Sequence, residues 1–220
     1  LAGSDHIYNA VFKQTGVIRA YDMEELFDIA VAFTKQPPSH GDRVGIVSMS
    51  GGAGVMAADK AIDLGLKVPE FSDNTRGKLR NILSPIASTH NPVDTTGSAN
   101  DEQLLNAVKI VMESGEIDIL VWIPYYAVPT LSRDINMNMI RLVRRINEKR
   151  EIPIPVVGVS TGGSYTQGLA REAEKFGIPM YISPERGVKA AWALIEYGKW
   201  LKKNNRFKEF IRLNRWKYGY

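Results

Sequence analysis

The sequence predicts an α/β protein with a doubly wound, flavodoxin-like parallel sheet, preceded by a helix-and-strand remnant of a similar domain. Three observations carry this prediction. Apolar runs of strand length alternate with segments of helical periodicity from Arg43 to Lys203. Some runs, such as Ile119 to Pro124, are apolar at every position, as strands covered on both faces require. The turns that join run to helix are rich in glycine. Parallel strands joined by right-handed crossovers follow, with ligands expected beyond the carboxyl ends of the strands.

Taken in order, Ser4 to Gln14 reads as a helix with Ile7, Val11 and Phe12 at helical spacing, stopped by Gly16. Val17 to Ala20 reads as a short strand. Asp22, with Glu25 three residues on, caps a second helix whose apolar stripe is Leu26, Ile29, Ala30 and Phe33. The Pro- and Gly-containing stretch 37–42 reads as a linker, so residues 1–36 are expected to be the tail of a preceding domain and 43–203 the main domain. Its strands are expected at 43–48, 66–68, 117–124, 154–160 and 180–182. Its helices are expected at 54–64, from Ser72 or Asp73 to 83, at 100–113 with an Asn100–Gln103 capping box, and at 131–148, 166–176 and 184–203. The loop from Ser84 to Ser98 is long for a compact domain, a property of functional loops. Residues 204–220 read as an irregular basic, aromatic tail.

At 220 residues and 44% hydrophobic content the chain can bury a full core. Its longest apolar runs are far short of the roughly 20 residues that span a bilayer, so no membrane segment is expected. The absence of cysteine excludes disulfides, thiolate metal sites and thiol catalysis. The start, Leu1-Ala2-Gly3-Ser4-Asp5, lacks both a methionine and a signal peptide, and is read as the start of a fragment of a cytoplasmic protein. The segment 202–220 carries seven cations against Glu209, in a chain of net charge +4. Basicity therefore belongs to the tail, and the body is no general polyanion binder.

Chemistry concentrates at Ser50-Gly51-Gly52-Ala53-Gly54, where a buried strand enters a glycine turn and then a helix. Such a turn lets an anion approach closely, offers free N–H groups and adds about half a positive charge from the helix dipole. Ser50 can donate one more bond. The pattern is neither a P-loop nor a dinucleotide fingerprint, and a plain tight turn is the competing reading. Asn91, Asp94, Thr95 and Thr96 of the long loop are expected beside this turn, either supporting it or serving as turn formers and caps. Ser160-Thr161-Gly162-Gly163-Ser164 repeats the logic at the fourth strand, with a tight turn as its simpler reading. His6, His40 and His90 have no ligand spacing around them, and no metal site is expected. The tail suits a docking segment at least as well as a nucleic-acid contact, and nucleic acid is not the expected partner. A flavin-binding reading would require a yellow protein.

Several of these segments together resemble the ADP-forming acyl-CoA synthetases of the acetate:CoA ligase type, alpha-subunit type, which are relatives of succinyl-CoA synthetase. The matching residues are Leu1 to Asp5, Gln14-Thr15-Gly16-Val17-Ile18-Arg19, Glu24-Glu25-Leu26-Phe27, Ser50 to Gly54, Asn91-Pro92-Val93-Asp94 and Pro184-Glu185-Arg186. The resemblance implies reversible conversion of acyl-CoA, ADP and phosphate to acid, CoA and ATP through an acyl phosphate and a phosphohistidine. It implies that Ser50 to Gly54 opens a helix whose start holds the phosphohistidine, with Asn91, Asp94 and Thr95 supporting it. The histidine itself is implied just before Leu1, the CoA-binding domain further upstream, and ATP or ADP with Mg on an ATP-grasp domain elsewhere. No tightly bound cofactor, a hetero- or homo-oligomer, and an inactive chain when alone are implied as well; a non-catalytic interaction module is the alternative. Ser98, and Ser164-Tyr165 after the second glycine pair, depart from the acidic residues usual there.

Overall fold

The all-apolar runs become the sheet. The computed structural model describes residues 4–219, and the first three residues of the Leu1 to Asp5 segment lie outside them. Five parallel strands, β1 (Val44–Ser48), β2 (Val93–Asp94), β3 (Ile119–Ile123), β4 (Val156–Val159) and β5 (Met180–Tyr181), lie in the order β2-β1-β3-β4-β5. β1 and β3 are buried throughout and pair from Val44↔Ile119 to Ser48↔Ile123. Successive side chains point to opposite faces and feed two cores. Val47, Leu120, Trp122 and Val156 join the core of α4 (Asp73–Ile82), α5 (Asp101–Glu113) and α6 (Ile135–Glu148). Ile46, Val121, Val157 and Val159 join that of α3 (Gly51–Asp63) and α8 (Pro184–Lys203). α7 (Ser164–Lys175) precedes β5, and α1 (Asp5–Thr15) and α2 (Met23–Lys35) precede the sheet. The expected doubly wound parallel plan holds.

Four local expectations are corrected. The second strand is not Leu66–Val68, which makes a single bridge from Lys67 to Arg43; Pro69 has no N–H to continue a ladder. The edge of β1 is completed instead by β2, inside the long loop. Val17–Ala20 is irregular, because the described chain offers it no neighbouring strand. The tail is not irregular: α9 (Phe207–Asn214) and a 3₁₀ turn (Arg215–Tyr218) follow α8. Phe207 and Ile211, four residues apart, bury against Leu201, while Tyr197 stacks on Trp200 and meets Phe210 edge-on. Finally, the buried face of α2 is Glu25, Ile29 and Ala32, and Leu26 stays half exposed.

The turned face of α2 has an electrostatic cause. Arg186 of α8 donates from Nε and Nη2 to the two oxygens of Asp28 (2.7 and 2.8 Å) and from Nη1 to Glu24 (2.9 Å). Lys189 pairs with Glu25 at 2.9 Å, and Asp22 accepts from Glu25 N. The Glu24-Glu25 and Pro184-Glu185-Arg186 segments, far apart in sequence, are therefore partners. A bidentate arginine fork gives this joint its geometry as well as its strength.

The stretch that reads as a linker packs tightly. Gln36 to Ser39 are buried. Gln36 accepts from Val156 N at 2.7 Å and donates to Gly177 O at 2.6 Å, and Ser39 N donates to Leu194 O at 3.1 Å.

Next to it, the His40 ring meets Phe207 edge-on at 5.1 Å. Partial burial, then the charge of Lys202, holds the imidazole below its ordinary pKa, with Asp118 opposing and Lys208 and Arg43 adding to the effect. Because the folded chain disfavours the proton, its stability is full above the unfolded value near about 6.5 and falls as pH drops through it toward the depressed folded value. The melting midpoint is expected to drop more steeply between about pH 7 and 5.5 in the parent than in His40→Gln, as read by calorimetry.

Candidate functional site

β1 ends in Ser48, whose buried hydroxyl accepts from Ser50 N (3.0 Å) and donates to Ser50 O (2.7 Å). This bond turns the chain sharply so that α3 starts at Gly51, three residues earlier than the sequence suggested. Ser50 is the N-cap residue, yet its side chain caps nothing. The first intrahelical bond that closes the turn runs from Gly54 N to Ser50 O. The N–H groups of Gly51, Gly52 and Ala53 are thus the orphan donors of a helix start, and they carry the positive end of a 13-residue dipole. Gly52 is exposed, and a Cβ added there would meet nothing within 4 Å. Gly54 is buried over Pro92, with 3.3 Å between Pro92 Cβ and an added Cβ, which seats α3 on the long loop.

The loop residues divide by role. Asn91 bonds to backbone only: Oδ1 accepts from Ile46 N (3.0 Å), and Nδ2 donates to Val44 O (2.9 Å) and Pro69 O (3.0 Å). The following bond to Pro92 is cis. Thr95, 1% exposed, donates from N and Oγ1 to Ser48 O at 2.8 and 3.1 Å. Both therefore brace β1 beneath the turn. Asp94 alone reaches the helix start, with Oδ2 2.8 Å from where a Gly51 Cβ would lie, while its Oδ1 accepts from Thr96 N at 2.9 Å. Thr96 is held at φ 67, a left-handed conformation that costs a β-branched residue about 1–3 kcal/mol, and its hydroxyl bonds that of Ser98 at 2.8 Å.

The arrangement has a chemical meaning. Three orphan N–H donors at an exposed glycine turn suit an oxyanion, and one carboxylate beside them sets the strength of that attraction. A charge about 5 Å from a bound anion repels it by about 1–2 kcal/mol at intermediate dielectric. Asp94→Asn keeps the acceptor for Thr96 N and removes the charge. Inorganic phosphate is therefore expected to bind this variant roughly five- to thirtyfold more tightly in a calorimetric titration.

The fourth-strand turn also opens an uncapped helix, α7, but its Thr166 bonds back to Gly163 O, and Gly162 lies against Thr166. His6 is exposed on α1, and His40 lies among Phe207 and nearby cations. His90 bonds Glu70 through Nδ1 (2.5 Å) and Arg76 through Nε2 (3.2 Å). None of the three sits in the Gly51–Ala53 turn. Among the described residues no group of three or more His, Asp or Glu is arranged to hold a metal ion, and no helix is long and apolar enough to cross a membrane. Sequence reasoning missed Ser48, whose only signal was a serine closing an otherwise apolar strand, and missed the direction in which Asp94 points.

Residues 44–197 match the family model of the ligase-CoA domain, and residues 1–33 that of the succinyl-CoA ligase like flavodoxin domain. The chain is 37% identical over 202 residues to acetate–CoA ligase [ADP-forming] II subunit alpha of Pyrococcus furiosus, covering 90% of this chain and 43% of that one. Its fold superposes on the crystal structure of PH0766 from Pyrococcus horikoshii OT3 with a TM-score of 0.80 at 35% identity, over 91% of this chain and 45% of the other. It also superposes on the dinucleotide forming acetyl-coenzyme A synthetase 1 of Ca. Korarchaeum cryptofilum in complex with phosphate and ADP, with a TM-score of 0.81 at 25% identity, over 93% and 44%. The chain thus spans less than half the length of these relatives.

Proposed function

The chain belongs to the ligase-CoA domain family, and from that premise we propose that it serves an ADP-forming acid–CoA ligase by holding a phosphoryl group at the start of α3. The reaction fits three displacements. Phosphate attacks the thioester carbonyl and CoA leaves as the thiol; a histidine nitrogen attacks the phosphorus of the acyl phosphate and the acid leaves; a terminal oxygen of ADP attacks the phosphohistidine, and the P–N bond breaks to give ATP. In the last two steps charge spreads over the phosphoryl oxygens, and fixed donors aimed at those oxygens lower the barrier without having to reorganise.

The supporting observation is the turn at Gly51, Gly52 and Ala53, whose N–H groups face an opening that no side chain caps. Asn91 and Thr95 keep β1 and the turn in register, and Asp94 limits how tightly the anion is held so that it can be passed on. Residues 1–36 would close a preceding domain and 43–203 would form the phosphoryl-holding domain, with 204–220 an appendage. The histidine, the CoA-binding domain and the nucleotide with its magnesium belong, in this reading, to other parts of the full-length enzyme or to a partner subunit in the cytoplasm.

The test is ATP synthesis by the full-length protein with its nucleotide-binding partner. Acetyl-CoA, ADP and phosphate should yield ATP, and ATP labelled in the terminal phosphoryl should leave an acid-labile, base-stable label on the protein. An intact assembly that neither makes ATP nor takes the label would contradict the proposal and leave a non-catalytic interaction module.

A further inference from the structure

A group of cations lies away from the α3 turn. The 3₁₀ turn after α9 reaches the carbonyl end of α6, where Arg215 donates from Nη2 to Asn147 O (2.9 Å) and Arg150 O (2.7 Å) and from Nη1 to Glu151 O (3.4 Å). Satisfying the last carbonyls of a helix with a cation both caps it and offsets its dipole. This clamp leaves a groove of about 280 Å³ between α9 and the turn at 150–152, lined by Glu151, Ile152, Lys208, Ile211, Arg212 and Arg215. The groove combines two isoleucines with three cations and one acid. That acid, Glu151, pairs with Lys208 at 2.9 Å, but the two side chains are 75% and 74% exposed. A pair so wetted is worth little and exchanges readily. Lys149, Lys203 and Arg206 stand exposed nearby in the chain.

We infer that this groove docks an acidic segment of a partner polypeptide. The partner's carboxylates displace Glu151 from Lys208 and pair with Arg212, and an apolar side chain between them rests on half-buried Ile152. Charge complementarity names the partner's sign, and Ile152 names its apolar contact. The tail's own chemistry favours a polypeptide over a nucleic acid. Phe207 is buried, and Phe210 and Tyr197 are spent on each other, so these rings offer no platform for bases. Glu148, Glu151 and Glu209 also punctuate the cations, a pattern that repels a continuous phosphate backbone. The family match ends at residue 197, before any of the α9 residues in the groove. The docking stands or falls independently of the α3 turn.

The experiment is an anisotropy titration of the full chain into a fluorescein-labelled ten-residue oligoglutamate carrying one central leucine. A labelled ten-residue oligothymidylate serves as the competing probe. The peptide is expected to bind. Arg212→Glu, an exposed change that should leave circular dichroism unaltered, is expected to weaken it by about tenfold or more. Glu151→Gln, which removes the internal competitor, should tighten it by about two- to fivefold. The inference is overturned if the peptide fails to bind at millimolar protein, if Arg212→Glu leaves its affinity unchanged, or if the oligothymidylate binds more tightly than the peptide.

Discussion

Glutamate at position 52 is expected to leave the protein folded and to abolish its handling of phosphoryl groups. A Cβ at Gly52 meets nothing within 4 Å and the residue is exposed, so the side chain finds room. An acid in the first turn of a helix is even favoured by about 0.3–1 kcal/mol through the dipole. The same carboxylate, however, occupies the electrostatic position of the anion and faces the N–H groups of Gly51 and Ala53. Losing one preorganised donor to an oxyanion typically costs about 10²–10³ in rate, and a fixed negative charge in its place should cost no less. The expected result in the full-length enzyme is a melting midpoint unchanged or slightly raised, with phosphoryl transfer to histidine slowed by about a hundredfold or more. Gly52→Ala, lacking the charge, should lose far less. Equal labelling rates in the parent and the glutamate variant would refute the role given to the turn.

Alanine at position 198 should do the reverse, harming stability before chemistry. Gly198 lies in the middle of α8, where the backbone of the 36–39 segment crosses it. An added Cβ would lie 1.8 Å from Ser39 O and 2.9 Å from Ser39 C. These are backbone atoms, held in place by the bond from Ser39 N to Leu194 O and by the bonds of Gln36 to Val156 and Gly177. No rotamer change relieves the overlap, so α8 and the crossing segment must separate. Overpacking of this kind costs about 3 kcal/mol or more, which for a chain of this size lowers the melting midpoint by roughly 6–12 °C. Gly168→Ala in α7, where an added Cβ also meets nothing, is the control. It should be neutral or gain about 0.5–1 kcal/mol from helix propensity. Calorimetry of the two variants separates close approach from a general intolerance of alanine.

How much of this was legible in the sequence depends on what determined each element. β1 and β3 were legible because strands buried on both faces leave uninterrupted apolar runs. α5 and α8 were legible because Asn100 with Gln103, and Pro184 with Glu185, mark helix starts locally. The edge strand was not, since a two-residue strand at Val93–Asp94 has no period to detect. Its neighbour Leu66–Val68 carries the right residues but is cut short at Pro69. The buried face of α2 was misread because hydrophobicity alone favoured Leu26, while the cations of α8 draw Glu25 and Asp28 inward. In the tail, cations interleaved with Phe207 and Ile211 hid an amphipathic helix. At the site, glycine spacing and an expected strand-to-helix turn located Ser50 to Gly54. The Ser48 bridge is local, spanning only to Ser50, but a single serine at the end of an apolar strand is a weak signal; the approach of Asp94 depends on tertiary geometry that no local pattern encodes.

The most direct test of the central claim is a titration of the nitrogen-15-labelled chain with inorganic phosphate, followed by amide chemical shifts. The N–H signals of Gly51, Gly52 and Ala53 should move together and saturate, more readily in Asp94→Asn and not at all in Gly52→Glu. If those three signals stay still while the chain is folded, or if phosphate moves only amides elsewhere, the start of α3 does not hold the phosphoryl group.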